Sequence, residues 1–153
     1  MTRLRPGLRA GLPWVAPATC AALLVAGYLV GRRAHLPADF TGPEVLILAP
    51  VSIGFAVVGA LILGRHPRHR LGWLYVGTAT AMATALFAFP YAWYGLVTEP
   101  GALPGVLAAG WVSAWVWTVG FAPAMTFGLL LYPDGRLPSP RWWPAAAVSG
   151  AAV

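Results

Sequence analysis

The sequence predicts an all-α fold, a polytopic bundle of transmembrane helices, from its composition and from the length of its apolar stretches. Of the 153 residues, 59% are hydrophobic and only 9% are charged, against about 25% charged residues in ordinary soluble domains. Ten arginines and four acids are too few to cover the surface of a water-soluble fold of this size. The composition therefore excludes a soluble globule and indicates lipid as the solvent.

The apolar stretches have the length of membrane spans, because about 20 helical residues cross a hydrocarbon core about 30 Å thick. After a basic tail at 1–11, the membrane domain is predicted to fill 12–153, with full spans at about 12–31, 45–64, 71–97 and 106–132. The first span is too long for a signal peptide and is followed by Arg32 and Arg33 without a small-residue cleavage pattern, which favours an uncleaved anchor.

A fifth apolar run opens at Trp142 and contains twelve residues up to Val153. Twelve helical residues cover about 18 Å, which is short of a full crossing. We therefore expect a truncated fifth span, and with it a fragment of a longer protein. A last segment that lies flat at the membrane surface is the alternative.

The arginines predict the orientation of the bundle. Eight of them fall on the side of the amino-terminal tail, the loop between the second and third spans, and the loop after the fourth span. The opposite side carries Arg32 and Arg33 together with three of the four acids. The positive-inside rule then places the amino terminus in the cytoplasm and the protein in the cell membrane as a multi-pass protein.

The predicted spans contain no Asp, Glu, Arg, Lys or His, although transporters and pumps usually hold such residues at membrane depth. Their hydroxyl side chains are expected to bond their own helix or a neighbouring one. Small residues recur every four positions and indicate close helix packing, with a homodimer left open. These rows are Gly27 and Gly31; Gly77, Ala81 and Ala85; and Gly120, Ala124 and Gly128.

Sites for chemistry are not indicated. His35, His66 and His69 lie apart from any cluster of Cys, Asp or Glu, so we expect no metal, no cofactor and no catalytic residue in this chain. The arginines are scattered in twos and threes between apolar runs, which excludes a nucleic-acid surface and is typical of topology signals.

Two loops on the side predicted to be cytoplasmic are the candidate sites. The first, GRHPRHRLGW, contributes Arg65, Pro67, Arg68, Arg70, Gly72 and Trp73. The second, YPDGRLPSPRWW, contributes Pro133, Asp134, Gly135, Arg136, Arg141 and Trp142. Proline and glycine predict tight turns in both, and the arginines are expected to contact anionic lipid headgroups. Asp134 is expected either to pair with Arg136 or Arg141 or to be solvated.

With these two loops, at Val57–Tyr75 and Leu129–Pro144, the chain resembles the amino-terminal membrane region of actinobacterial sensor histidine kinases. That family typically has an Arg-Pro-Arg-Asn-Ile-Gly-Trp hairpin and a later Phe-Pro-Asp-Gly-Arg-Leu-Pro-Ser loop. Here His69 stands where Asn is usual, Tyr132 where Phe is usual, and Trp143 where a basic residue is common.

The resemblance implies an integral membrane sensor or anchor module of a two-component system. Its histidine kinase domain, absent from this chain, would bind the response regulator, so enzymatic activity would belong to the parent protein. Two alternatives are a permease or transporter fragment and a small stand-alone structural membrane protein.

Overall fold

The computed structural model describes residues 12–37 and 43–130, and every regular element in these ranges is helical. The four α-helices are α1 (Val15–Gly31), α2 (Pro43–Arg65), α3 (Arg70–Trp93) and α4 (Val106–Leu130). A 3₁₀ turn, Leu12–Trp14, precedes α1, and a π-helical turn, Tyr94–Thr98, continues α3. The predicted all-α class is confirmed. Helix α2 and the start of α4 lie within two residues of the predicted spans, whereas α1 begins three residues later, at Val15, and the α-helical part of α3 ends four residues earlier, at Trp93.

Three helices are long and apolar enough to cross a membrane, over Ile47–Arg65, Arg70–Thr98 and Val106–Gly128. The α-helical part of α1 has 17 residues, or about 26 Å at 1.5 Å per residue, which is slightly short of the hydrocarbon thickness. These lengths suggest a membrane protein. Four full crossings stay a prediction, and the fifth run at 142–153 lies outside the described residues, as do the tail at 1–11 and the second candidate loop.

Helix α3 is the centre of the bundle, because it packs against α1, α2 and α4, and the main contacts of α4 are with α3. Its antiparallel neighbours α2 and α4 approach it through glycine. A Cβ atom built on Gly59 of α2 would lie 3.0 Å from the carbonyl oxygen of Gly72. A Cβ atom on Gly120 of α4 would overlap the methyl group of Ala81. The parallel neighbour α1 also approaches α3 through a glycine. A Cβ atom built on Gly27 would lie 2.7 Å from the carbonyl oxygen of Leu86.

The bundle places small side chains inside and large apolar side chains outside. Its core cluster consists of Cys20, Ala56, Ala79 and Ala83. Large apolar side chains such as Leu107, Trp111 and Trp115 are exposed on α4. A soluble protein buries its large apolar side chains, whereas a membrane bundle buries small ones that let helices approach closely. This distribution agrees with lipid as the solvent.

Only some of the small-residue rows lie at helix contacts. Gly27 and Gly120 are at close approaches, and Gly31 lies 3.5 Å from Leu36 by the same Cβ test. Gly77 and Gly128 have no neighbour within 4 Å of a built Cβ atom. The four-residue spacing therefore identified the packing faces without identifying which glycine makes the contact.

Hydroxyl side chains in the spans, except that of the exposed Thr118, bond to backbone carbonyls, as expected. Two of them are buried and join helices: Ser52 Oγ donates to the Ala79 carbonyl at 3.0 Å, and Thr78 Oγ1 donates to the Gly120 carbonyl at 3.0 Å. The others bond their own helix, which leaves the hydroxyl satisfied without a partner helix. They are Thr19, Thr80, Thr84, Ser113 and Thr126.

The connection from α3 to α4 is fixed by hydrogen bonds and by glycine. In the π-helical turn the Glu99 amide donates to the Tyr94 carbonyl at 2.8 Å, and the Gly101 amide then donates to the Gly95 carbonyl at 3.3 Å. Gly101 has φ of 87°, a left-handed conformation that glycine adopts without strain. The chain therefore stops the helix here and turns towards the start of α4.

Candidate functional site

The candidate site described by the structure is the basic hairpin between α2 and α3, which we define as 65–73. Its backbone closes a tight turn, because the His69 amide donates to the His66 carbonyl at 2.9 Å across Pro67 and Arg68. The His66 amide donates to the Ile62 carbonyl at 2.7 Å and so completes the last turn of α2. Proline fixes its own φ angle at the second position of such a turn, so the hairpin is short and rigid.

Gly72 brings the two helices together directly beside this turn. A Cβ atom built on Gly72 would lie 2.8 Å from Cδ2 of Leu63 and 3.1 Å from Cγ2 of Ile62. Leu63 and Leu71 are both buried. The hairpin therefore rests on an apolar contact in which a side chain at position 72 would crowd Leu63 and Ile62, and this geometry agrees with the close packing expected at Gly72.

Trp73 connects the first turn of α3 back to the hairpin. Its indole Nε1–H donates a hydrogen bond of 3.0 Å to the carbonyl oxygen of Pro67. The ring is nevertheless 61% exposed. An indole with one bonded polar edge and an exposed apolar face suits the boundary between water and hydrocarbon.

The three arginines of the hairpin, Arg65, Arg68 and Arg70, are all exposed. Within the described ranges, none of them forms an ion pair or a side-chain hydrogen bond. The hairpin therefore carries three positive charges that no described residue neutralises. It presents these charges on a fixed backbone, as is typical of a surface that contacts anions.

His69 occupies the position before the first residue of α3, with extended backbone angles and no side-chain hydrogen bond to the helix. Its Nδ1 atom is buried and has no hydrogen-bond partner among the described residues. His66 is exposed, and the two imidazole rings are 6.4 Å apart. In the described part of the chain, no group of three His, Cys, Asp or Glu side chains could hold a metal ion.

The six candidate residues of the second loop lie outside the described residues, so the structure places only the first loop. These six are Pro133, Asp134, Gly135, Arg136, Arg141 and Trp142. Their pairing, and any contact between the two loops, stay predictions.

At the opposite end of the bundle, polar contacts that the sequence analysis did not identify tie the loop after α1 to the end of α3. The Nε1–H of Trp93 donates to the His35 carbonyl at 3.1 Å, and the His35 amide donates to Thr98 Oγ1 at 3.3 Å. Tyr91 similarly donates from its hydroxyl to the Pro104 carbonyl at 2.9 Å. A bond to a distant backbone carbonyl leaves no pattern in the sequence by which these contacts could have been identified.

An apolar groove of about 420 Å³ lies between α3 and α4 near this end. Phe89 and Trp93 form its aromatic wall, and Gly110 and Ala114 contribute from α4. The small side chains of these two residues leave the volume of the groove open. Even a Cβ atom built on Gly110 would lie 3.6 Å from the Ala92 methyl, an ordinary van der Waals distance. Trp111 and Trp115 of α4 do not line this groove and are exposed.

Comparison of the chain with protein-family models, curated proteins and solved structures found no match.

Proposed function

We propose that this chain is the membrane-embedded input and anchoring module of a sensor histidine kinase. In this proposal the protein crosses the cell membrane several times, with its amino terminus and basic hairpin in the cytoplasm. The kinase domain, and through it the response regulator, would be the functional partners. The chain itself would supply no catalytic residue.

The observation that carries the proposal is the structure of the hairpin. The residues by which it resembles the sensor kinases stabilise the hairpin through two contacts. The carbonyl oxygen of Pro67 accepts a hydrogen bond from the indole of Trp73, and Gly72 permits the close contact with α2. A rigid connection of this kind transmits a displacement of α3 to the membrane surface, whereas a flexible loop would absorb it. A module that passes helix movements to a cytoplasmic domain requires such a connection.

The mechanism we propose is a change in helix packing. Helix α3 and its π-helical turn run from Arg70 at the hairpin to Thr98 at the other end, where the contacts with His35 and Pro104 are made. Small side chains line its contacts, so two packing arrangements could differ by a modest free energy. A stimulus that favours one arrangement at the Thr98 end would then displace the hairpin.

The alternative of a permease or transporter fragment has less support from the described helices. From Ile47 to Gly64, from Leu71 to Thr98 and from Val106 to Leu130 there is no Asp, Glu, Arg or His. The two buried hydroxyls, on Ser52 and Thr78, are already bonded to backbone carbonyls. Acidic residues or paired arginines at mid-membrane depth in further spans would favour the transporter.

A chimera tests the kinase proposal. Residues 1–153 would replace the membrane region of an actinobacterial sensor histidine kinase, with junctions of zero to three inserted residues to sample the helical phase. We expect at least one junction to give a membrane-bound protein that autophosphorylates. In that chimera Gly72→Leu should change the autophosphorylation rate severalfold, because it forces α2 and α3 apart.

Gly77→Leu is the matched control, since Gly77 lies on the same helix in open space. Autophosphorylation that is insensitive to Gly72→Leu, or absent at every junction, would contradict the proposal. The coding sequence downstream of codon 153 gives an independent test, because the proposal expects a dimerising helix pair and an ATP-binding domain there.

A further inference from the structure

We propose that the hairpin end of the bundle is a binding surface for anionic phospholipid headgroups in the leaflet it faces. Arg65, Arg68 and Arg70 would contact the phosphates, and the indoles of Trp14 and Trp73 would set the depth of the surface in the bilayer. The proposal goes beyond the function given above, because it holds for any partner that the module serves and for either orientation in the membrane.

The charge of the hairpin is not compensated by nearby acids of the described chain. Glu99 lies at the far end of α3, and Glu44 lies in the first turn of α2, 21 residues before Arg65. Twenty-one helical residues span about 31 Å, and the Debye length at physiological ionic strength is about 8 Å. Within the described residues, the backbone positions of these acids are therefore too distant to neutralise the hairpin, and its positive charge is available to an anionic partner.

The backbone that carries these arginines is preorganised. The hydrogen bond from the His69 amide to the His66 carbonyl closes the turn, and the bond from the Trp73 indole to the Pro67 carbonyl stabilises it. Gly72 packs against Leu63 beside the turn. Binding to a preorganised surface avoids most of the entropy cost of ordering a loop. A mobile loop of the same charge would retain lipid less well.

Two exposed indoles lie at the same end as the arginines. Trp14, 50% exposed, follows Pro13, whose Cγ lies 3.9 Å from a Cβ atom built on Gly64 at the end of α2. Trp73 lies in the first turn of α3, on the other side of the hairpin. Tryptophan prefers the headgroup level of a bilayer, so these rings hold the guanidinium groups at the depth of the phosphates. This placement points to a lipid and not to a soluble anion.

Native mass spectrometry of the full chain released from detergent micelles tests the proposal, with phosphatidylglycerol and phosphatidylcholine added in equal amounts. We expect the wild-type chain to retain more phosphatidylglycerol. Each basic residue near an anionic surface contributes on the order of fivefold in partitioning. The triple variant Arg65→Gln, Arg68→Gln, Arg70→Gln should therefore lower the preference at least tenfold.

The control is the double variant Arg32→Gln, Arg33→Gln, which removes charge from the opposite end and should keep most of the preference. Circular dichroism in the same detergent should show unchanged helix content for both variants, because all five arginines are exposed. A triple variant that keeps the wild-type preference, or a double variant that loses it equally, would overturn the proposal.

Inorganic phosphate distinguishes a lipid surface from a site for free anions. At matched ionic strength, added phosphate should displace phosphatidylglycerol no more than sodium chloride does, because phosphate cannot occupy the indole boundary. Greater displacement by phosphate would assign the hairpin to a soluble anion and overturn the lipid assignment.

Discussion

The hydroxyl group of Thr78 in α3 donates a 3.0 Å hydrogen bond to the carbonyl oxygen of Gly120 in α4. Gly120 is also the position where α4 touches Ala81, since a Cβ atom there would overlap the Ala81 methyl. The missing side chain of Gly120 thus allows the approach that brings its carbonyl within reach of Thr78. The main contacts of α4 are with α3, so this crossing is central to its attachment.

Removing the Thr78 hydroxyl should weaken the attachment of α4. Thr78→Val keeps the shape of the side chain but loses the bond, and interhelical bonds of this kind contribute about 0.6 kcal/mol, up to about 1.7 kcal/mol. The free energy of unfolding, measured by denaturant titration in mixed micelles, should fall by that amount. Thr84→Val is the control, because Thr84 bonds only its own helix; an equal loss in both variants would contradict the prediction.

Alanine substitutions at two glycines of α4 should have opposite effects. Gly120→Ala places a methyl group against Ala81 and should lower the free energy of unfolding by about 1 to 3 kcal/mol through overpacking. Gly128→Ala meets no atom within 4 Å and should be neutral or stabilising by up to about 1 kcal/mol, because alanine favours helix. The same micelle titration checks both, and a stabilised Gly120→Ala would show that α4 does not pack as described.

The helices could be predicted from the sequence because their length and apolarity are dictated by the bilayer. The transition from Thr98 to Val106 was also predictable, since Pro100, Gly101 and Gly105 interrupt the helical pattern. The central place of α3 was not, because all four stretches are apolar on every side and no polar face distinguishes the inner helix. Periodicity carries little information where the solvent is as apolar as the core.

The hairpin was predicted more completely than the opposite end. Pro67, Gly72 and the arginines act through local backbone geometry and charge, which the sequence displays directly. The bond between Trp93 and His35 joins residues 58 positions apart through a backbone carbonyl. Any residue at position 35 would supply that acceptor, so no residue type in the sequence could identify it.

Loss of the Trp93 hydrogen bond should loosen the loop that follows α1. Trp93→Phe retains an aromatic ring but not the Nε1–H donor to His35. A hydrogen bond contributes about 0.5 to 1.5 kcal/mol, so backbone amides near His35 should exchange about 2 to 13 times faster. Hydrogen–deuterium exchange of the micelle-bound chain measures this. Trp111→Phe is the control, since that ring is 67% exposed. Equally faster amide exchange in both variants would contradict a specific role of the Trp93 hydrogen bond.

Reporter fusions should report the orientation predicted from the arginines. Alkaline phosphatase fused after Glu99 should be active, and the same enzyme fused after Arg68 should be inactive, because short loops rich in arginine tend to be retained in the cytoplasm. Immunoblots of both fusions establish equal expression. The reverse pattern of activity would place the hairpin outside and invalidate the topology.

His69→Asn should stabilise the chain, because His69 precedes the first residue of α3 without capping it. Its backbone has φ of −73° and ψ of 121°, and no side-chain hydrogen bond reaches the first turn, while its buried Nδ1 atom has no partner among the described residues. Asparagine is among the best residues at this position, since its side-chain oxygen accepts from an amide of the first turn.

Replacement by asparagine therefore supplies a cap and removes an unpaired buried nitrogen. We expect the free energy of unfolding in micelles to rise by about 0.5 to 2 kcal/mol. His66→Asn is the matched control, three residues earlier in the same turn but exposed and away from the cap position, and should change the stability by less than about 0.5 kcal/mol. A destabilised His69→Asn variant would mean that the imidazole has a partner that asparagine cannot replace, and would refute the uncapped start of α3.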